Sequence, residues 1–188
     1  VIPVVVDPAT YDREEAWKDA QRLLEFCDQW PFPRPWVRKC DGRKLKGWYS
    51  PSTNTVSYSF GRTPVRTPGY SWSFTGYKAD LTSYGILAHE LGHWWHFQEP
   101  RRDDITLAAR LLAMDERAVS GYEPNAHETI AEAVRLFILN PDLLRCGRPK
   151  RYAYLESMGM RPLHDLSWRE VLANAHPKLV RAAERWIQ

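Results

Sequence analysis

Proline divides this chain into two unlike parts. Of its 14 prolines, more than half lie before residue 70. In Trp30-Pro-Phe-Pro-Arg-Pro-Trp36 each proline pushes its predecessor to an extended conformation, so that segment cannot be helical. From Trp36 to Phe60, β-branched and aromatic runs (Val37, Trp48-Tyr49, Thr55 to Phe60) are punctuated by Asp41-Gly42 and Pro51-Ser-Thr-Asn54. They predict strands and turns of a small sheet. A short strand is expected at Ile2 to Val6 and a helix from Asp12 to Asp28. Thr63 to Asp80 reads as loop, with one further strand near Tyr70 to Thr75.

From Leu81 onward the pattern is helical. Thr82 or Ser83 can cap a helix running to about Gln98, before Pro100. A second helical pattern covers residues 104 to 119. A third runs from about Asn125 to Leu139 and stops at Asn140-Pro141. Shorter helices are expected near 149–157, 168–174 and 177–187. Strands first and helices after them predict an α+β fold. We expect one domain over 1–188, strand-rich to about residue 80 and helical beyond it, with a mostly antiparallel sheet.

Composition narrows the class. With 188 residues, 44% of them hydrophobic and 26% charged, the chain can bury a core without disulfides. Nine tryptophans predict a Trp-rich core, with an aromatic-lined cleft or a protein contact as the functional alternative. The net charge of +3 is weak. The clusters Arg101-Arg102 and Arg148-Pro149-Lys150-Arg151 read as solvated surface, and nucleic acid is an unlikely partner. Cys27, Cys40 and Cys146 are odd in number and widely spaced, which predicts neither a disulfide framework nor a zinc knuckle and fits a reducing compartment. No stretch approaches the roughly 20 apolar residues of a membrane span. Val1 to Val6 is too short for a signal peptide.

Chemistry concentrates at His89-Glu-Leu-Gly-His93. On a helix, residues i and i+4 lie about 40° apart at roughly 100° per residue, so both imidazoles can reach one ion. Glu90 can reach a water on that ion. A catalytic zinc takes three protein ligands and keeps a fourth position for water. The carboxylate would then act as general base. Gly85, His89, Gly92, His93 and His96 share one helix face. Leu87, Leu91, Trp94 and Trp95 lie opposite and are expected to anchor the helix. Gly92 costs about 1 kcal/mol against Ala in a helix interior, which predicts close approach of a neighbouring element there. Glu128-Thr-Ile-Ala-Glu132 puts two carboxylates on one face of the third helix. The alternative is a solvated face on which Glu132 merely pairs with Arg135. The residues alone leave the third ligand open among Glu128, Glu132, His96 and His127.

His-Glu-Leu-Gly-His followed by Glu-Thr-Ile-Ala-Glu resembles the gluzincins. Residues His127 to Phe137 are similar to the catalytic domain of anthrax lethal factor and to small toxin- and phage-associated zincins. The resemblance covers about residues 83 to 140. Trp94-Trp95-His96-Phe97-Gln98 departs from the metzincin continuation, and no cysteine has the deformylase setting. The resemblance implies a zincin-like fold and a zinc peptidase. His89, His93 and Glu128 would bind Zn2+, and Glu132 would orient a ligand histidine from behind. Glu90 would be catalytic base. Tyr122 would donate to the oxyanion, at a spacing that looks one residue short of the family's. The strand Thr55 to Phe60 would edge the cleft and pair with an extended peptide. The expected partner is a peptide or protein substrate. The expected location is the cytoplasm or a phage particle. The alternative is a non-proteolytic structural or interaction protein, a phage or toxin component that keeps the zinc site. An intact Glu90 argues against that alternative, because metal binding alone does not need it.

Overall fold

The computed structural model describes residues 23–40, 47–59, 83–173 and 177–188. The strand expected at Ile2 to Val6, most of the helix expected from Asp12, the Asp41-Gly42 turn and the segment Thr63 to Asp80 lie outside them. Among the described residues, three strands, β1 (Trp36–Cys40), β2 (Gly47–Ser50) and β3 (Thr55–Ser59), precede seven α-helices: α1 (Ser83–Gln98), α2 (Arg102–Asp115), α3 (Ala126–Leu139), α4 (Pro141–Gly147), α5 (Pro149–Ser157), α6 (Trp168–Val171) and α7 (Pro177–Ile187). Leu23–Gln29 forms a 3-10 helix where the end of an α-helix was expected. The architecture is α+β and mostly helical.

The sheet is mixed. Its order is β1-β3-β2, with β1 parallel and β2 antiparallel to β3. This corrects two expectations. The sheet is not mostly antiparallel, and β3 is not a cleft edge. Both its sides are taken, so it has no free backbone edge for a peptide; among the described residues the edges are β1 and β2. The expected in-and-out alternation of β3 does not appear in its burial: Val56 and Tyr58 are fully buried, but Ser57 between them is buried as well, because strands pair on both sides of β3. Phe60 lies outside the described residues. Asn54 adopts a left-handed φ of 47° in the turn before β3, a conformation Asn tolerates because its side chain bonds locally. Its Nδ2 donates to the carbonyls of Pro33 and Arg34.

α1 and α3 form the centre. Leu87, Leu91, Trp94 and Trp95 are all fully buried. Each leucine contributes on the order of 1.5–3 kcal/mol by burial. The proline-rich segment packs on the two tryptophans: the Trp30 ring lies 6.3 Å from Trp94 and 6.1 Å from Trp95. Trp94 Nε1 donates to the Pro33 carbonyl. The Trp-rich core is therefore present, although Trp36 and Trp48 are exposed. Gly92 sits where α1 meets α3. A Cβ there would lie 2.8 Å from Ala131 Cα and 3.1 Å from its carbonyl oxygen. The expected close approach is real, and backbone packs on backbone.

Asn125 caps α3, its side chain accepting from the His127 and Glu128 amides. Asn140 ends α3 and caps α4, accepting from Leu143 N, with Pro141 in the first turn. Asn140-Pro141 ends α3 as expected, but it also begins α4, which lies outside the expected helices. An Asn followed by Pro both ends one helix and starts another. The cluster Arg148 to Arg151 is also corrected. Pro149 and Lys150 are exposed, but Arg148 and Arg151 are buried. Arg101 and Arg102 are exposed as expected. All three cysteines are free. No helix among the described residues is long and apolar enough to cross a membrane.

Candidate metal centre

α1 supplies His89, Glu90 and His93, and the facing α3 supplies Glu128 and Glu132. The contact at Gly92 and Ala131 brings the two helices together. His89 Nε2 lies 3.1 Å from His93 Nε2. Glu128 Oε2 lies 3.0 Å from His89 Nε2 and 3.4 Å from His93 Nε2. These three donor atoms lie close enough together to hold one metal ion, the only such group among the described residues. A tetrahedral zinc with bonds of about 2.0–2.2 Å has neighbouring ligand atoms about 3.3–3.6 Å apart. The observed triangle is close to one face of that tetrahedron. The donor set fits a divalent cation of intermediate softness.

Glu132 stands behind His89. The imidazole Nδ1–H donates to Glu132 Oε1 at 2.8 Å, which turns Nε2 toward the triangle. Arg135 grips the same carboxylate twice, Nε to Oε1 at 3.0 Å and Nη2 to Oε2 at 2.9 Å. Both residues are almost fully buried. The Glu132–Arg135 pair expected of a solvated face thus exists, but it lies in the interior and serves the histidine. Arg135, expected as a surface partner, is a buried support of the site.

The electrostatics agree with the geometry. Burial would push the His89 imidazole down, yet its bonds to Glu128 and Glu132 carry it up to about 9. Burial would push Glu128 up, yet the two histidines bring it down to about 2. Burial also opposes ionisation of Glu132, and the charges of Arg135 and His89 hold it far below the usual carboxylate range. The cluster favours positive charge among its donors. Glu90 is buried, and burial pushes its carboxyl up. Its Oε2 has no hydrogen-bond partner.

Two residues of β2 shape the Glu90 position, and neither is among the site residues expected from the sequence. The Tyr49 backbone N–H donates to Glu90. A Cβ at Gly47 would lie 2.6 Å from Glu90 Oε1, so only glycine fits there without a shift. A glycine inside a strand pattern is a signal of close approach. β2 is tied to the end of α1 by Gln98 Nε2, which donates to the Tyr49 hydroxyl at 2.9 Å.

The Tyr122 ring lies 5.7 Å from the His89 ring and is about half exposed (49%). The charge on Glu128, then burial, raises its phenol pKa. His96 and His127 are not in the triangle. His96 Nε2–H donates to the Arg102 carbonyl at 3.0 Å, which ties α1 to α2. His127 faces His96 with its Nδ1 3.4 Å away and stacks on Phe97. No protein-family model, curated protein or solved structure matches the chain.

Proposed function

We propose that this chain is a zinc-dependent peptidase of the gluzincin type. The observation that carries the reading is the triangle of His89 Nε2, His93 Nε2 and Glu128 Oε2, with an unpartnered, buried Glu90 oxygen on the same helix as the two histidines. Zinc held by those three residues would supply a Lewis acid and lower the pKa of water to about 7.

The chain's own residues supply the rest. Glu90 takes a proton from the attacking water and returns it to the leaving amine. Its burial, which raises its proton affinity, suits both halves of that task. The Glu132–Arg135 pair keeps His89 in one tautomer and one orientation. The Tyr122 phenol donates to the substrate oxygen as negative charge develops on it. The half-exposed ring can reach a substrate from the solvent side.

The test compares wild type with Glu90→Gln for zinc content and for cleavage of a mixed peptide library. The reading expects both proteins to hold zinc and only wild type to cleave. A Glu90→Gln protein that keeps the full biological activity would overturn it in favour of a structural role.

A further inference from the structure

Residues 116 to 123 carry Tyr122 from the end of α2 toward the metal group, and a lattice of polar contacts, most of them partly buried, holds them. Glu116 accepts from the Lys150 and Arg151 amides at the start of α5. Arg148 Nε donates to the Ala118 carbonyl at 3.0 Å, and Trp186 Nε1 of α7 donates to the Val119 carbonyl at 3.1 Å. Glu123 Oε1 accepts from the Val119 and Ser120 amides at 2.6 and 3.2 Å. Its Oε2 accepts from Arg151 Nη1 at 2.8 Å. Ser120 Oγ accepts from the Tyr122 amide at 3.1 Å. The side chains of Arg151 and Glu123 are 2% and 6% exposed.

Surface connections do not require this. An exposed turn can leave its backbone polar groups to water. Burying an ion pair costs desolvation that apolar packing would avoid, so such a pair is weak as a source of stability alone. What it supplies is one fixed geometry, and the residue at the apex of that geometry is Tyr122, beside His89.

We infer that Arg151 and Glu123 are positioning residues that hold the Tyr122 loop against the metal centre, and that the basic cluster Arg148 to Arg151 serves this internal purpose rather than a partner. The kinetic part of the inference rests on the peptidase reading. The structural part stands without it.

The test uses the full chain with Glu123→Gln, an isosteric change that weakens the bond to Arg151. Exchange of the Val119 and Ser120 amides should speed up while α1 keeps its protection. Zinc stoichiometry should not change. The shift of the Tyr122 ring resonances on adding zinc should shrink. In peptide cleavage, kcat should fall by up to about 10²-fold, the scale of a catalytic group misplaced by about 1 Å, with KM little altered. Placed on a Tyr122→Phe background, Glu123→Gln should cost no further kcat. Unchanged exchange and ring shifts would overturn the inference, as would an equal kcat loss with Phe at 122. If wild type cleaves nothing, the peptidase reading fails, while exchange and ring shifts still decide the clamp. If Glu123→Gln does not fold, Arg151→Lys, which keeps the charge but loses the Nη1 bond to Glu123, carries the same measurements.

Discussion

α1 carries two buried histidines whose surroundings treat charge in opposite ways. His89 is met by the carboxylates of Glu128 and Glu132, which raise its proton affinity. His96, two turns along, is met by a backbone carbonyl and the Thr106 hydroxyl. Burial lowers its proton affinity, and that carbonyl does not restore it. Each faces a second imidazole at similar range, 3.1 Å for His93 and 3.4 Å for His127. Histidine spacing alone therefore does not set the two pairs apart. The carboxylates behind and beside the first pair do.

Four substitutions would break or sharpen that contrast. The largest effect is expected from Glu90→Gln, which should lower kcat by about 10²–10⁴-fold, the contribution of general base catalysis, with zinc content unchanged by elemental analysis. Glu132→Gln should come next. It leaves His89 in place but weakens the acceptor behind it. Zinc affinity measured by competition with a chelator should fall about 10–100-fold. Gly92→Ala drives a methyl into the Ala131 backbone and should cost about 1–3 kcal/mol in denaturant unfolding. A tolerated alanine would mean that α1 and α3 sit further apart than described. His127→Ala should do least. Stability should stay within about 0.5 kcal/mol, and the zinc titration should be that of wild type. A lost zinc equivalent would make the second histidine pair a site after all.

The helical centre was legible because its signals are local. His89 to His93 and Glu128 to Glu132 each repeat at one helical turn, and Gly92 announced a backbone contact before its partner was known. Asn125 and Leu139 bounded α3 in both descriptions. The misses share a different cause. That β3 lies between β1 and β2 depends on pairing order, which alternation along one strand does not encode. Arg148 and Arg151 read as surface because their partners, Glu116, Ala118, Glu123 and Trp186, are far away in sequence. Gly47 matters only because Glu90 lies against it. Arg135 lies at the spacing of a surface pair from Glu132, and a pair at i and i+3 looks the same in sequence whether wet or buried.

The most direct test of the central claim is metal content by elemental analysis, on wild type and on Glu128→Ala after dialysis against zinc. The account predicts about one zinc per chain in wild type and its loss in the variant, because Glu128 Oε2 completes the triangle with the two histidines. A wild type that takes up no zinc, or a Glu128→Ala protein that keeps all of it, would contradict the account.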